Sequence, residues 1–192
     1  MDSPVLDARA TPPGGIVATF MESFVEPTFF ALMPAYDKEH ALFGAKLVTV
    51  IPVSGTVQRI SVSPDDKWVF TSDQTKPELV AIDAKTNTVS KRIPMESYGY
   101  GTASTPDGKW LLVPMMAVDK IAVIDLKTMT VAKNIELAKG THPQEALVEP
   151  DGKMAFVSCD HSGQVAEIDT ASWTVTRMID TGKVSDGLAW AK

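Results

Sequence analysis

One phrase recurs three times in this chain at a fixed phase, and that periodicity limits the fold more than any other feature. Ser63-Pro64-Asp65-Asp66-Lys67-Trp68 returns as Thr105-Pro106-Asp107-Gly108-Lys109-Trp110 and again as Glu149-Pro150-Asp151-Gly152-Lys153-Met154, so the turn prolines stand 42 and 44 residues apart. Ile82-Asp83, Ile124-Asp125 and Ile168-Asp169 keep the same spacing, as do Thr88-Val89, Thr130-Val131 and Thr174-Val175. Three markers in constant phase define a repeat of about 43 residues.

Each unit predicts four short antiparallel strands. In the third full copy they run from Gln144 to Val148, Met154 to Ser158, Gln164 to Ile168 and Thr174 to Ile179. Between the first two, Pro-Asp-Gly makes a tight turn with glycine in the left-handed position, where Asp66 stands in the first copy. After the third strand, Asp83 with Thr86, Asp125 with Thr128 and Asp169 with Ser172 suit a second turn closed by side-chain hydrogen bonds. Val, Ile and Thr dominate the runs, and helical periodicity is missing. Four strands in this length are one blade of an all-β propeller.

The expected organisation is a single propeller unit of about four blades: a degenerate blade over residues 5–54, blades over 55–97, 98–141 and 142–181, and a closing strand over 182–192. In the degenerate blade Thr11-Pro12-Pro13-Gly14-Gly15 takes the place of the turn, and Pro34 to Lys46 is excess length suited to a short helical insertion. Trp68 and Trp110 hold the same repeat position and are expected to wedge between blades, with Trp173 packing on an outer turn. The methionines, Met115 and Met116 included, are expected to serve as apolar filler.

Net charge is −6 with a pI near 5.0, and no Lys/Arg run occurs, which argues against nucleic-acid binding. Cys159 is the single cysteine, which excludes an internal disulfide and a multi-cysteine metal site. No apolar run reaches the ~18 residues of a membrane span, and the first twenty residues lack the pattern of a signal peptide. No GxSxG elbow, phosphate loop or His-Glu-x-x-His appears.

The phrase S/T-P-D-G-K-W followed by V-x-x-I-D-x-x-T-x-T-V resembles the YVTN-repeat β-propeller family (YncE-like proteins) from Gly55 to Trp190, and Asp186-Gly187-Leu188-Ala189-Trp190 resembles a family C-terminus. The resemblance implies a bacterial or archaeal exported protein, periplasmic or extracellular, typically with seven blades. Without a signal peptide in the chain as written, a cytoplasmic location stays open. About four blades fit an N-terminally shortened member, a half-propeller that dimerises, or a closed four-bladed ring. Unpaired blade edges would favour self-association.

Function is expected on the face carrying the loops between blades (Met95 to Tyr100, Leu137 to Pro143, Asp180 to Asp186) and the loops inside them (Asp73 to Pro77, Met115 to Asp119, Cys159 to Gly163). The candidate ligand-binding residues there are Tyr98, Tyr100, His142, Asp160, His161 and Asp186. Tyr98 and His142 are register-equivalent, as are Tyr100, Gln144 and Asp186. His142, Cys159 and His161 are weak candidates for metal, because imidazole and thiolate suit zinc or copper but their spacing matches no known ligand motif. No catalytic set and no particular cofactor is indicated. The first reading is a non-catalytic binding or scaffold module for a small molecule, peptide or surface polymer. The second is a lactonase-like or metal- or haem-dependent enzyme with its site at the channel mouth.

Overall fold

The turns anticipated from the repeat organise four antiparallel sheets. The computed structural model describes residues 7–11, 15–20, 28–34, 45–53 and 56–191. The first sheet joins β1 (Asp7–Thr11), β2 (Gly15–Phe20), β3 (Thr28–Pro34) and β4 (Ala45–Pro52) in sequence order. The second joins β5 (Val57–Val62), β6 (Trp68–Asp73), β7 (Glu78–Asp83) and β8 (Thr88–Pro94). The third joins β9 (Ala103–Ser104), β10 (Trp110–Met115), β11 (Lys120–Asp125) and β12 (Thr130–Glu136). The fourth joins β13 (Pro143–Val148), β14 (Met154–Cys159), β15 (Gln164–Asp169) and β16 (Thr174–Asp180). This is the all-β propeller architecture, one meander per blade. Among the described residues no helix is long and apolar enough to cross a membrane.

Side-chain chemistry shapes both turns of each blade. Asp66, Gly108 and Gly152 have φ of 56°, 69° and 73°, so the left-handed position is used in all three copies. Thr105 Oγ1 donates to Asp107 Oδ1 at 2.6 Å and accepts from the Trp110 amide at 3.1 Å; Ser63, Asp65 and Trp68 repeat the pattern at 2.6 and 2.9 Å. At the outer turn, Asp83 Oδ1 accepts from the Lys85 and Thr86 amides, and Asp125 and Asp169 do the same in their blades. The pairings of β7 with β8, β11 with β12 and β15 with β16 all shift register at Ala81/Ile82, Val123/Ile124 and Glu167/Ile168. A bulge repeated at one site increases twist in each blade alike.

The core lies between the sheets. Phe70, Leu79, Ala81 and Ile93 of the second sheet pack on Leu111, Val113, Met115, Ala122 and Ile124 of the third. Leu112, Ile121, Val123 and Ile135 on the third sheet's other side pack on Ala155, Val157, Cys159, Ala166 and Ile168 of the fourth. Each large buried side chain contributes roughly 1.5–3 kcal/mol of transfer free energy. Trp68 packs into the first of these layers with Met129, and Trp110 meets Trp173 edge-on at 5.8 Å and 73° in the second. Both tryptophans thus wedge against the outer turn of the following blade. Met115 is fully buried filler.

Residues 182–191 join no sheet, where a closing strand was expected; hydrogen bonds from Ser158 and Ser185 side chains anchor the segment to the fourth sheet. The helical insertion expected from Pro34 to Lys46 falls largely on residues 35–44, outside the described residues, while Pro34 and Lys46 themselves belong to β3 and β4.

Candidate functional site

In the second and fourth blades the innermost strand breaks its ladder at the loop face, and in the third it is cut short. β5 shifts register between Gln58 and Ile60, leaving Arg59 in a bulge with a φ of 49°. β13 shifts between Pro143 and Ala146, releasing Gln144 and Glu145. In the third blade the same positions are Tyr100 and Gly101, and only Ala103–Ser104 remains as strand. Bulges re-aim side chains next to functional sites, and here they turn a row of them out of the ladder.

Arg59 is the hub of that row. Its Nη2 donates to both carboxylate oxygens of Asp186, at 3.0 and 3.1 Å, and its Nε lies 3.6 Å from Glu145 Oε2. Its guanidinium carbon sits 5.5 Å from the centre of the Tyr100 ring. Burial opposes the charged form of Arg59, but Asp186 and Glu145 outweigh it and raise its pKa. Gly101 makes the cluster possible: a Cβ there would stand 2.8 Å from the Glu145 carboxylate. Backbone also ties the blades together here, with the Gly101 amide donating to the Gln144 carbonyl at 2.8 Å.

A second cluster adjoins it. The His142 and His161 rings stack with centres 3.6 Å apart and planes 20° off parallel. His142 has a φ of 53°, held by its amide donating to Asp119 Oδ1 at 2.8 Å. Asp119 also accepts from the Gly140 amide and the Thr141 hydroxyl. Burial works against its charge, and these donors overcome it, so its pKa is lowered. Asp160 accepts from Gln144 Nε2 at 2.7 Å, which links the histidine loop to the strand carrying Glu145.

The candidate residues therefore divide. His142, His161 and Asp160 come together in one loop cluster, and Tyr100 and Asp186 meet at Arg59. Tyr98 stands 42% exposed on the same face. Cys159 is separated from the imidazoles: it is fully buried in the apolar layer, and burial pushes its thiol up to about 11. Among the described residues no group of three or more His, Cys, Asp or Glu is arranged to hold a metal ion. Sequence reasoning missed Arg59 and Glu145. Their signal was available, because they share one register position with Gly101 and differ in every copy, whereas turn residues repeat.

No family model matches this chain, and no curated protein matches it. Solved structures do. Hydrazine synthase from Kuenenia stuttgartiensis superposes with a TM-score of 0.71 at 22% identity over 85% of this chain. A functionally unknown protein from Desulfotomaculum acetoxidans gives 0.75 at 18% identity over 93%. Dihydro-heme d1 dehydrogenase NirN, in complex with DHE, gives 0.68 at 18% identity over 94%. The chain spans 45%, 57% and 38% of those three chains. At such identities the likeness establishes the fold, and the fold is the β-propeller.

Proposed function

We propose that this chain is a non-catalytic binding module of the YVTN-repeat (YncE-like) type, which captures a small molecule, peptide or surface polymer on its loop face in the periplasm or outside the cell. The observation that carries this reading is the state of the polar groups on that face. Arg59, Glu145 and Asp186 are engaged with one another, Asp119 with backbone amides and Asp160 with Gln144. Flat ring surfaces are what the face offers: exposed Tyr98, half-buried Tyr100 beneath Arg59, and the stacked His142–His161 pair. Rings on rigid loops suit recognition, since they supply contact area with few rotamers to freeze. The phrase shared with the YVTN repeat supports the family reading, and the acidic charge supports a partner other than nucleic acid.

Titrating a panel of peptides, oligosaccharides and lactones into labelled protein tests the proposal. Resonance shifts confined to residues 98–100, 142–145 and 160–161, with no lactone turnover, are expected. Lactone hydrolysis abolished by Asp160→Asn would replace the binding reading with the enzyme reading.

A further inference from the structure

The Arg59–Asp186 pair has the form of a binding site occupied by its own chain. Asp186 lies on residues 181–191, which belong to no sheet and are held by the Thr181 and Gly182 amides on the Gly163 carbonyl and by a few side chains. Ser158 Oγ donates to the Asp186 carbonyl, and Ser185 Oγ donates to the carbonyls of Cys159 at 3.2 Å and Gln164 at 3.1 Å. The side chain of Asp186 is 47% exposed, while that of Glu145 is 12% exposed. One carboxylate is therefore built into the wall, and the other approaches from solvent on an irregular segment.

The receiving side is preorganised. Arg59 keeps a left-handed backbone within a bulge, and non-glycine residues in that region persist where surrounding structure enforces them, often at ligand clamps. Glu145 and the Tyr100 ring hold the guanidinium from other sides, so Nη2, the nitrogen that meets both Asp186 oxygens, is positioned before anything binds. An arginine guanidinium is a strong, permanently charged donor to carboxylates.

We infer that Arg59, backed by Glu145 and Tyr100, is a binding site for the carboxylate of a small organic acid, and that Asp186 is its resident occupant, displaced when the acid binds. The exchange swaps one carboxylate for another, so the charge around Arg59 is unchanged and Glu145 keeps its partner. This rests on the loop-face binding reading and names the ligand class for that face. The segment carrying Asp186 competes as an intramolecular ligand, with an effective concentration on the order of millimolar for a short connection. A free acid must exceed that level or gain further contact on the Tyr100 and Tyr98 rings.

The test is calorimetric titration of benzoate, with benzamide as its neutral counterpart, into the full chain and Asp186→Asn. Freed of its occupant, Asp186→Asn should bind benzoate roughly tenfold more tightly than the parent chain, in line with removal of an intramolecular competitor. Benzamide should bind neither. Adding Arg59→Lys should reverse the gain, since lysine keeps the charge and loses the planar guanidinium that Glu145 and Tyr100 hold in place. Thermal melting shows whether each variant is folded. In the parent chain the Arg59 Nε–H resonance should move at high benzoate, which reads the same event without any substitution. Equal benzoate affinity in both chains, binding of benzamide, or a stationary Arg59 resonance would each overturn the inference. If it falls while peptides or oligosaccharides still shift the His142 and His161 resonances, the loop-face reading stands without it; if neither responds, both fail.

Discussion

Gly99 has no space for a side chain. A Cβ there would lie 2.5 Å from Val113 Cγ1, 2.6 Å from Ser72 Oγ and 3.1 Å from Met95 Cε, with the first two neighbours buried between sheets. Gly99→Ala should destabilise the protein by about 1–3 kcal/mol, the usual range for overpacking, as measured by urea denaturation. A loss near zero would show that the loop before β9 moves freely. Gly163 is constrained twice over, since its φ is 64° and a Cβ would meet the Gly182 carbonyl oxygen at 2.6 Å. Gly163→Ala should therefore be destabilising too, with the added effect of lifting residues 181–186 off β14. Loss of protection in the Thr181 amide, which donates to the Gly163 carbonyl at 3.0 Å, would report that lift in hydrogen exchange.

Within a blade, the two aspartate turns make stability depend on pH. Asp107 is lowered to about 2 by the Thr105 hydroxyl and the Lys109 side chain and amide. Asp65 is lowered chiefly by Ser63, Asp83 chiefly by the Thr86 amide and Asp169 chiefly by Ser172. A carboxylate whose folded pKa lies below its unfolded value of about 3.9 stabilises the fold above that value. The contribution is lost as pH falls through the folded pKa. Melting temperature should hold steady down to about pH 4 and drop between there and about pH 2. Asp107→Asn should shrink that drop while lowering stability at neutral pH by about 1 kcal/mol, the worth of the turn's hydrogen bonds. A melting profile whose acid limb is identical in Asp107→Asn would remove Asp107 from the account. The same turns show how much was legible: Pro-Asp-Gly and Asp-x-x-Thr/Ser act within a few residues, so their geometry follows from local chemistry.

At the scale of the whole molecule, the fourth sheet packs one face on the third, and its other face carries apolar side chains with no packed sheet among the described residues. Phe156 lies opposite Leu147, and Val165 opposite Ile179, on the side away from Ala155, Val157 and Ile168. Register places Phe156 where Phe70 and Leu112 stand, and both of those are fully buried by the next sheet. Phe156 itself is only half-buried, beside Glu167, whose carboxylate takes 2.6 and 2.8 Å bonds from Arg177. The chain described should associate through that apolar face. Sedimentation should show a concentration-dependent dimer, and Phe156→Lys should shift it to monomer without loss of β-sheet signal. A parent chain that sediments as a monomer at all concentrations would sink this expectation. The candidate site belongs to the same scale, because Arg59 and Asp186 are 127 residues apart and meet through the stacking of blades.

The sequence by itself determined the repeat, the strand order within each blade, the chemistry of both turns and the tryptophan wedges. Those depend on alternation, turn residues and a period of about 43, all readable over short stretches. Only the tertiary structure decided that Cys159 is buried away from His142 and His161, that the two imidazoles stack, and that residues 182–191 are pinned rather than paired. It also decided that Arg59 is the hub. The reason is physical: a bulge turns a side chain by local backbone geometry, but which groups it then meets depends on how successive sheets pack on one another. Repetition marks what each blade needs for its own folding, while the residues at Arg59, Gly101 and Glu145 acquire meaning only against one another across blades.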